Sequence, residues 1–433
     1  MSQFKAKPRV LVATTSRWFP TARLAMALAN AGFTVDAVCP SRHPIGKTSA
    51  VRKTHTYHGL APIRSFADAI AATQPDLIVP GDDRATLHLH DLHHQERNRS
   101  RGGASTCALI ESSLGAPASF PVVQARTTFL EVAQEEGVRV PKSRVIRTSS
   151  DLRDWVTSMG CPTVLKTDRS SGGEGVRIVQ TREEAERAFR ALEAPSLFAR
   201  AAKRALVNQD TTLVWPSLLR RRSVVNAQAF IPGRDATSLI ACWKGAVLAS
   251  LHFEVLSKED AGGPSTVLRL VENPEMSIAA EKMIRRLELS GLHGFDFMLD
   301  SRTGRAYLLE INPRATQIGH LTLGPGRDLP AALYAAATGE VAQPCPRLTE
   351  NNTITLFPQE WKRNPKSPFL QSGYHDVPWK EPELVRACLQ GPRNHRAGIF
   401  ERDSLQAFLA AQLPGTGQFL RRIAADRLNC EKE

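Results

Sequence analysis

The sequence predicts a protein of mixed class, with an α/β domain built on an open parallel sheet in front and an α+β part rich in hairpins behind it. Two observations predict this order. Near the N-terminus, strand-like and helix-like runs alternate, which is typical of a parallel sheet with crossover helices. Further along, apolar strand-like runs are joined by short Gly-containing turns, and this pattern indicates antiparallel hairpins.

The front domain is assigned to residues 1–122. Its predicted elements are a strand at 9–14, a helix at 21–31, a second strand at 33–39 and a further strand at 76–83 that ends in two acidic residues. Ligands bind at the carboxyl ends of the strands in open parallel sheets. Segments 14–17 and 80–83 are therefore candidate substrate contacts, with ordinary βα turns as an equally weighted alternative.

A glycine-rich hairpin follows in the second part of the chain. A buried strand at 161–166 ends in Lys166, a loop contains Gly172, Gly173 and Gly175, and a second strand covers 176–179. Backbone N–H groups of such a loop can approach phosphate oxygens, and the lysine adds a point charge. The dinucleotide-binding fingerprint fits poorly, because a strand follows the loop where a helix should begin. Taken alone, the loop is better described as a flexible hairpin tip, and only together with the acidic strands further along the chain does it indicate a phosphate site.

Two acidic residues lie in apolar strand-like runs further along the chain. Asp296 and Glu310 belong to runs joined by a turn at 300–304, and Asn312 shares the strand face of Glu310. Oxygen ligands of this kind suit Mg²⁺, which also binds phosphates. Burying two acids in apolar runs costs several kcal/mol unless a metal ion or a partner compensates. Arg314 adds a fixed positive charge beside this predicted metal site.

Together, these blocks resemble the ATP-grasp superfamily over residues from about 10 to about 340. The resemblance is to the carboxylate–amine ligase type and to the ATP-binding fold of biotin carboxylase and carbamoyl phosphate synthetase. It implies an ATP-grasp domain at 123–342 made of two α+β subdomains, with a lid at about 162–224. Residues 343–433 are then a small C-terminal extension of unknown role.

The resemblance also implies roles for individual residues. The implied nucleotide contacts are Arg126, Lys166, Gly172, Gly173, Gly175, Gln228, Phe230, Ile231 and Asp235. The implied metal ligands are Asp296, Glu310 and Asn312, and the implied catalytic residues are Arg314 and Lys166. Arg126 stands where lysine is more usual, and Gln228 stands where many members have glutamate. The implied cofactors are ATP and Mg²⁺, with Mn²⁺ as a substitute.

The activity that the resemblance implies is a ligase reaction. ATP phosphorylates a carboxylate to an acyl phosphate, which an amine then attacks. Two alternatives stay open: a carboxylating enzyme of the same superfamily that activates bicarbonate, and a non-catalytic nucleotide-binding protein with a regulatory role. The expected partners are small-molecule carboxylate and amine substrates, and a homodimer is common in the superfamily.

Composition limits the other function classes. The chain has 433 residues and a net charge of +13, yet only 6% of its residues are aromatic and no nucleic-acid motif is evident. We therefore expect no specific nucleic-acid partner. No apolar run approaches the ~20 residues that span a bilayer, and no secretory leader is evident, so a cytoplasmic location is expected. The seven cysteines contain no C-x-x-C pair. Four histidines at 88–94 predict an exposed His-rich helix, with zinc binding through His90 and His94 as the weaker alternative.

Overall fold

The computed structural model describes residues 7–99, 103–167, 175–193, 224–260, 262–340 and 346–389. The N-terminal part contains a four-stranded sheet in which every pair is parallel, in the order β3-β2-β1-β4. Its strands are β1 Arg9–Ala13, β2 Thr34–Cys39, β3 Val51–Thr56 and β4 Leu77–Pro80. The helices of this part are α1 Phe19–Asn30, α2 Pro62–Thr73, α3 Asp83–Arg97, α4 Ala104–Leu114 and α5 Phe120–Gln124. The predicted parallel sheet is confirmed.

A second sheet of four antiparallel strands carries the glycine-rich hairpin. Its order is β5-β8-β6-β7. The strands are β5 Ser143–Ile146, β6 Thr163–Thr167, β7 Val176–Val179 and β8 Val225–Ala229. Two helices, α7 Ser149–Met159 and α8 Arg182–Glu193, pack on it around a small apolar core that includes Trp155 and Phe189. Helix α8 begins where Thr181 Oγ1 accepts a hydrogen bond from the Glu184 amide at 3.2 Å.

The third sheet has seven strands in the order β13-β12-β9-β10-β11-β14-β15. They are β9 Gly233–Trp243, β10 Ala246–Lys258, β11 Ser265–Leu270, β12 Gly291–Asp300, β13 Ala306–Asn312, β14 Thr353–Leu356 and β15 Tyr374–Asp376. One face packs against α1 and α10 (Leu329–Thr338), and the other packs against α6 (Arg126–Glu135) and α9 (Pro274–Arg286). Strand β9 is buried without interruption from Ser238 to Cys242, because both faces of the sheet are covered there.

Strands β14 and β15 come from the predicted C-terminal extension. Strand β14 pairs antiparallel with β11, and β15 pairs parallel with β14. Three short helices accompany these strands: α11 Gln359–Arg363, α12 Phe369–Ser372 and α13 Pro382–Leu389. The large sheet therefore contains strands from both sides of residue 342. The domain boundary assigned at that residue stays a prediction.

A buried ion cluster fastens this extension to the front domain. Asp376 on β15 accepts hydrogen bonds from Arg23 of α1 and, at 2.5 Å, from His320 Nε2. The side chains of Arg23, His320 and Asp376 are 10%, 5% and 2% exposed. Burial by itself would raise the pKa of Asp376, but the neighbouring His320 and Arg23 hold that pKa below its ordinary value. The carboxylate therefore stays ionised and joins three segments that are far apart in sequence.

We expect Asp376→Asn to lower the free energy of unfolding by about 3–5 kcal/mol, because it leaves a buried guanidinium without its counter-charge. Urea unfolding followed by circular dichroism measures this change. Asp68→Asn is the matched control, since Asp68 pairs with Arg64 at 3.6 Å and its side chain is 72% exposed. The control should change the unfolding free energy by less than ~1 kcal/mol. A loss of unfolding free energy in Asp376→Asn as small as that in the control would show that the buried cluster contributes little to stability.

The prediction that the His-rich helix is exposed is wrong for two of its histidines. His90 and His93 of α3 are buried, because α4 and α5 pack against the face of α3 that carries them. The His90 ring stacks on Phe120 with 3.9 Å between ring centroids, and the Gln124 amide donates to His90 Nδ1 at 2.6 Å. These contacts give His90 a packing role. Among the described residues, no helix is long and apolar enough to cross a membrane.

Candidate functional site

The predicted site residues come together where the small sheet, the start of α6 and the β12–β13 hairpin meet. Lys166 lies at the carboxyl end of β6 and is 7% exposed. Burial lowers its pKa to about 8, although the nearby Glu310 carboxylate opposes that shift. A lysine with this pKa is charged for most of its population near neutral pH. The side chain is thus a buried positive charge beside the acidic strands.

The two predicted metal acids are direct cross-strand partners. Asp296 on β12 and Glu310 on β13 stand opposite each other in the antiparallel register. Burial raises the pKa of Asp296 to about 6, and the negative charge of Glu310 adds to the rise. Burial also acts to raise the pKa of Glu310, but Arg126 and Lys166 hold it below its ordinary value. Two half-buried carboxylates that face each other across neighbouring strands repel each other and favour a bound cation.

The donor set around Asp296 fits a hard cation. Thr237 Oγ1 donates to Asp296 Oδ1 at 2.8 Å, and Asn312 Nδ2 donates to Asp296 Oδ2 at 2.9 Å. Carboxylate and amide oxygens are ligands that Mg²⁺ accepts, and it usually completes its shell with water and phosphate oxygens. Within the described ranges, no group of three or more His, Cys, Asp or Glu side chains is arranged to hold a metal ion. Asp296, Glu310 and Asn312 would therefore hold Mg²⁺ only together with phosphate oxygens.

Arg126 connects the glycine-rich hairpin to the acid pair. It is the first residue of α6, and its guanidinium donates to the carbonyl of Thr167 at 3.1 Å through Nη1. Its Nη2 donates to Glu310 Oε2. The Thr167 amide in turn donates to the carbonyl of Gly175 at 3.0 Å, which closes the base of the hairpin. The predicted phosphate-binding residues Arg126, Lys166 and Gly175 thus lie together.

Arg314 is held by the front domain. Its Nε donates to Asp83 Oδ1 at 2.9 Å, and its Nη2 donates to Asn312 Oδ1 at 3.4 Å. The guanidinium carbon lies 5.7 Å from the centroid of the Trp18 ring. A guanidinium with an acid on one side and an aromatic ring on its face has little freedom to rotate. Arg314 is therefore a fixed charge between the metal acids and the front domain.

The predicted substrate segments 14–17 and 80–83 bind each other to a large extent. The Asp82 carboxylate accepts hydrogen bonds from Thr14 Oγ1 at 2.7 Å, the Thr15 amide at 2.6 Å and Thr15 Oγ1 at 2.8 Å. It also caps α3 by accepting from the Ala85 amide at 2.9 Å. These donors outweigh the effect of burial and lower the pKa of Asp82. Asp82 is consequently a structural anion at the ends of β1 and β4.

The remaining predicted nucleotide contacts lie around the β8–β9 connection. Gln228 is buried on β8, and Phe230 and Ile231 are half-buried in the connection itself. Asp235 on β9 pairs with Lys258 at 2.6 Å. Gly172 and Gly173 lie outside the described residues. The roles of all these positions in nucleotide binding stay predictions.

Sequence reasoning missed two residues that support the site. Thr237 binds Asp296 from the neighbouring strand, and Thr127 Oγ1 donates to Asn226 Oδ1 at 2.6 Å between α6 and β8. Neither belongs to a local motif. Asp83 lies in the candidate substrate segment 80–83, where it binds Arg314, a contact that no local pattern indicates.

Residues 125–323 match a family model described as the carbamoyl-phosphate synthase L chain, ATP binding domain. A curated relative is the carbamoyl phosphate synthase large chain of Methanoregula boonei. It is 24% identical over 192 residues, which cover 44% of this chain and 17% of the relative. The matched part therefore spans about a sixth of that protein's length.

Two solved structures share the fold. The first is the biotin carboxylase domain dimer of Hydrogenobacter thermophilus 2-oxoglutarate carboxylase, in complex with MgADP, ADP and bicarbonate. It superposes with a TM-score of 0.53 at 16% identity, and the match covers 78% of this chain and 70% of that chain. The N5-carboxyaminoimidazole synthase of Aspergillus clavatus, in complex with ADP and 5-aminoimidazole ribonucleotide, superposes with a TM-score of 0.54 at 15% identity, covering 78% of each chain. At these identities, the likeness concerns the fold.

Proposed function

We propose that this chain is an ATP- and Mg²⁺-dependent ligase of the ATP-grasp superfamily that activates a carboxylate for attack by an amine, and the match of residues 125–323 to the carbamoyl-phosphate synthase ATP binding domain supports this. The observation that carries the proposal is the arrangement of Lys166 and Arg126 beside the acid pair Asp296 and Glu310. Two cations suit phosphate oxygens, and two acids would suit a hard metal ion bound together with phosphate. A binding-only protein would not require the full set.

The proposed reaction has two steps. A carboxylate oxygen attacks the γ-phosphorus, the bond to the bridging β,γ-oxygen breaks, and ADP leaves. The amine nitrogen then attacks the acyl carbon, the carbon–oxygen bond to phosphate breaks, and the nitrogen loses a proton. Phosphoryl transfer of this kind depends mainly on positioning and charge neutralisation.

The chain's own residues have distinct tasks in this proposal. Lys166 and Arg126 bind phosphate oxygens, while Asp296, Glu310 and Asn312 hold Mg²⁺. When bound, Mg²⁺ neutralises charge on the phosphates. Arg314 stabilises negative charge on the carboxylate or on the tetrahedral intermediate, because Asp83 and Trp18 fix its position near the acids. No side-chain nucleophile is needed.

A bicarbonate-activating carboxylase is the second candidate. The bicarbonate bound in the Hydrogenobacter biotin carboxylase domain, whose fold this chain shares, favours it. Bicarbonate would be phosphorylated as a carboxylate would, so the same residues serve both reactions. The dimer in that structure also supports a homodimer here, and both candidates use small-molecule substrates.

The experiment that tests the proposal measures phosphate release from Mg·ATP in the presence of hydroxylamine and pools of carboxylic acids. Hydroxylamine converts an acyl phosphate into a stable hydroxamate. Hydroxamate from one pool is the expected result and begins to identify the acid. Phosphate release with bicarbonate alone would support the second candidate. ATP binding without phosphate release under every condition would contradict both and favour a regulatory role.

A further inference from the structure

Arg126 bonds an acid that the proposed function assigns to a metal ion. Its Nη2 donates to Glu310 Oε2, and the two side chains are 13% and 28% exposed. The pair is therefore shielded from solvent on most sides. Burial acts to raise the pKa of Glu310, but the positive charge of Arg126 lowers it. An ion pair in such a place is stronger than a surface pair, because water screens it less.

Arg126 also lies beside the predicted phosphate site. Its Nη1 donates to the Thr167 carbonyl, and Thr167 directly follows Lys166 on β6. The guanidinium is thus in contact with both halves of the site, the phosphate-binding strand and the metal-binding strand. A phosphate group carries more negative charge than one carboxylate and accepts paired hydrogen bonds from a guanidinium.

We propose that Arg126 competes with the metal ion for Glu310 and couples metal binding to nucleotide binding. Without nucleotide, the guanidinium occupies Glu310 Oε2 and weakens metal binding. Nucleotide phosphates draw the guanidinium toward themselves and leave the carboxylate oxygen to the metal ion. This inference rests on the proposed function, since it takes Glu310 as a metal ligand and Arg126 as a phosphate contact.

The proposal predicts opposite effects of one substitution. Arg126→Gln removes the positive charge from Glu310, so metal ions alone should bind more tightly, by about tenfold for the loss of one charge-assisted contact. The same change removes a phosphate contact, so nucleotide without metal should bind about tenfold more weakly. By linkage, the mutual strengthening of nucleotide and metal binding should shrink for both ligands equally.

The test uses the full chain and two binding measurements that need no turnover. Mn²⁺ alone is titrated with detection by electron paramagnetic resonance, and ADP alone is titrated by calorimetry. Wild type, Arg126→Gln and Arg126→Lys are compared. Arg126→Lys keeps the charge and should stay close to wild type for Mn²⁺, so a clear rise in its Mn²⁺ affinity would overturn the competition even if the glutamine variant does not fold. Arg139→Gln is the control, because Arg139 pairs with Glu275 at 2.7 Å outside the site and should leave both affinities unchanged.

The outcomes separate this inference from the proposed function. Tighter Mn²⁺ binding with weaker ADP binding in Arg126→Gln supports the competition. Unchanged or weaker Mn²⁺ binding in that variant, with ADP still bound by wild type, overturns it and leaves the proposed function in place. A Mn²⁺ affinity in Arg126→Lys that rises as much as in Arg126→Gln also overturns it. Absence of nucleotide binding in wild type, with or without metal, contradicts the proposed function itself.

Discussion

Glu310→Gln is expected to lower ATP turnover by about 10²–10³-fold, the usual loss when one group that stabilises developing charge is removed. The substitution keeps the size of the side chain and removes its charge. Glu310 faces Asp296 across β12 and β13 and lies within hydrogen-bonding distance of Arg126, so the change removes one of the two proposed metal acids and the partner of the proposed phosphate-binding arginine. Coupled-enzyme assay of ADP release, with hydroxylamine as acceptor, measures the loss.

The fold should survive this substitution. A thermal unfolding midpoint within a few degrees of wild type would show that the loss of turnover is local. Glu136→Gln is the matched control, because Glu136 pairs with Arg286 at 3.2 Å away from the acid pair and its side chain has a similar exposure of 29%. The control should keep full turnover. Near-normal turnover in Glu310→Gln would remove Glu310 from the metal site.

Lys166→Ala is expected to raise the ATP concentration needed for half-maximal turnover by at least about tenfold, because it removes the buried charge that we propose binds phosphate. The wild-type requirement should also depend on pH. Since burial lowers the pKa of Lys166 to about 8, the ammonium is charged below that pH and becomes neutral above it. ATP affinity should therefore be greatest below about pH 8 and fall as pH rises through that value. Initial rates across ATP concentrations from pH 6.5 to 9.5 test both expectations.

The pH dependence of Lys166→Ala shows whether Lys166 is the group that titrates. Without the lysine, the fall in ATP affinity near pH 8 should disappear, leaving a uniformly high requirement. Lys282→Ala is the control. Lys282 lies on α9, and its Nζ donates to the carbonyl oxygen of Glu136 at 2.7 Å. An unchanged ATP requirement in Lys166→Ala would exclude Lys166 from phosphate binding.

The part of the site that the sequence could predict is the part encoded by short-range patterns. Asp296 and Glu310 lie in two runs joined by a short turn, so hairpin geometry predicts that they are close, although a register shift between Asp296 and Phe297 is what sets them directly opposite each other. Lys166 could be located in the same way, because a strand end and a glycine-rich turn identify it. The parallel sheet in front also follows from local alternation of strands and helices.

The contacts that hold the site together could not be predicted. Arg126 bonds Glu310 across 184 positions, and Arg314 bonds Asp83 across 231. Such pairs depend on how separate elements pack, which no local period encodes. The same limit explains why the burial of His90 was not predicted. Its helix has polar residues on several faces, and His90 is buried only because α4 and α5 cover it. It also explains why β14 and β15 could not be assigned to the large sheet.

The position of β14 and β15 has a consequence for the order in which the protein matures during synthesis. Strand β11 gains its outer neighbour only after residue 356 has been made, and Arg23 gains its carboxylate only with residue 376. Until then, a nascent chain carries an open sheet edge and an arginine without its counter-charge, both of which disfavour early completion of the fold. The first helix thus depends on one of the last strands described. A fragment cut to the family-matched residues 125–323 would lack β1–β4, β14 and β15. It would therefore keep β11 without its outer neighbour and lose the ion pair between Arg23 and Asp376 entirely.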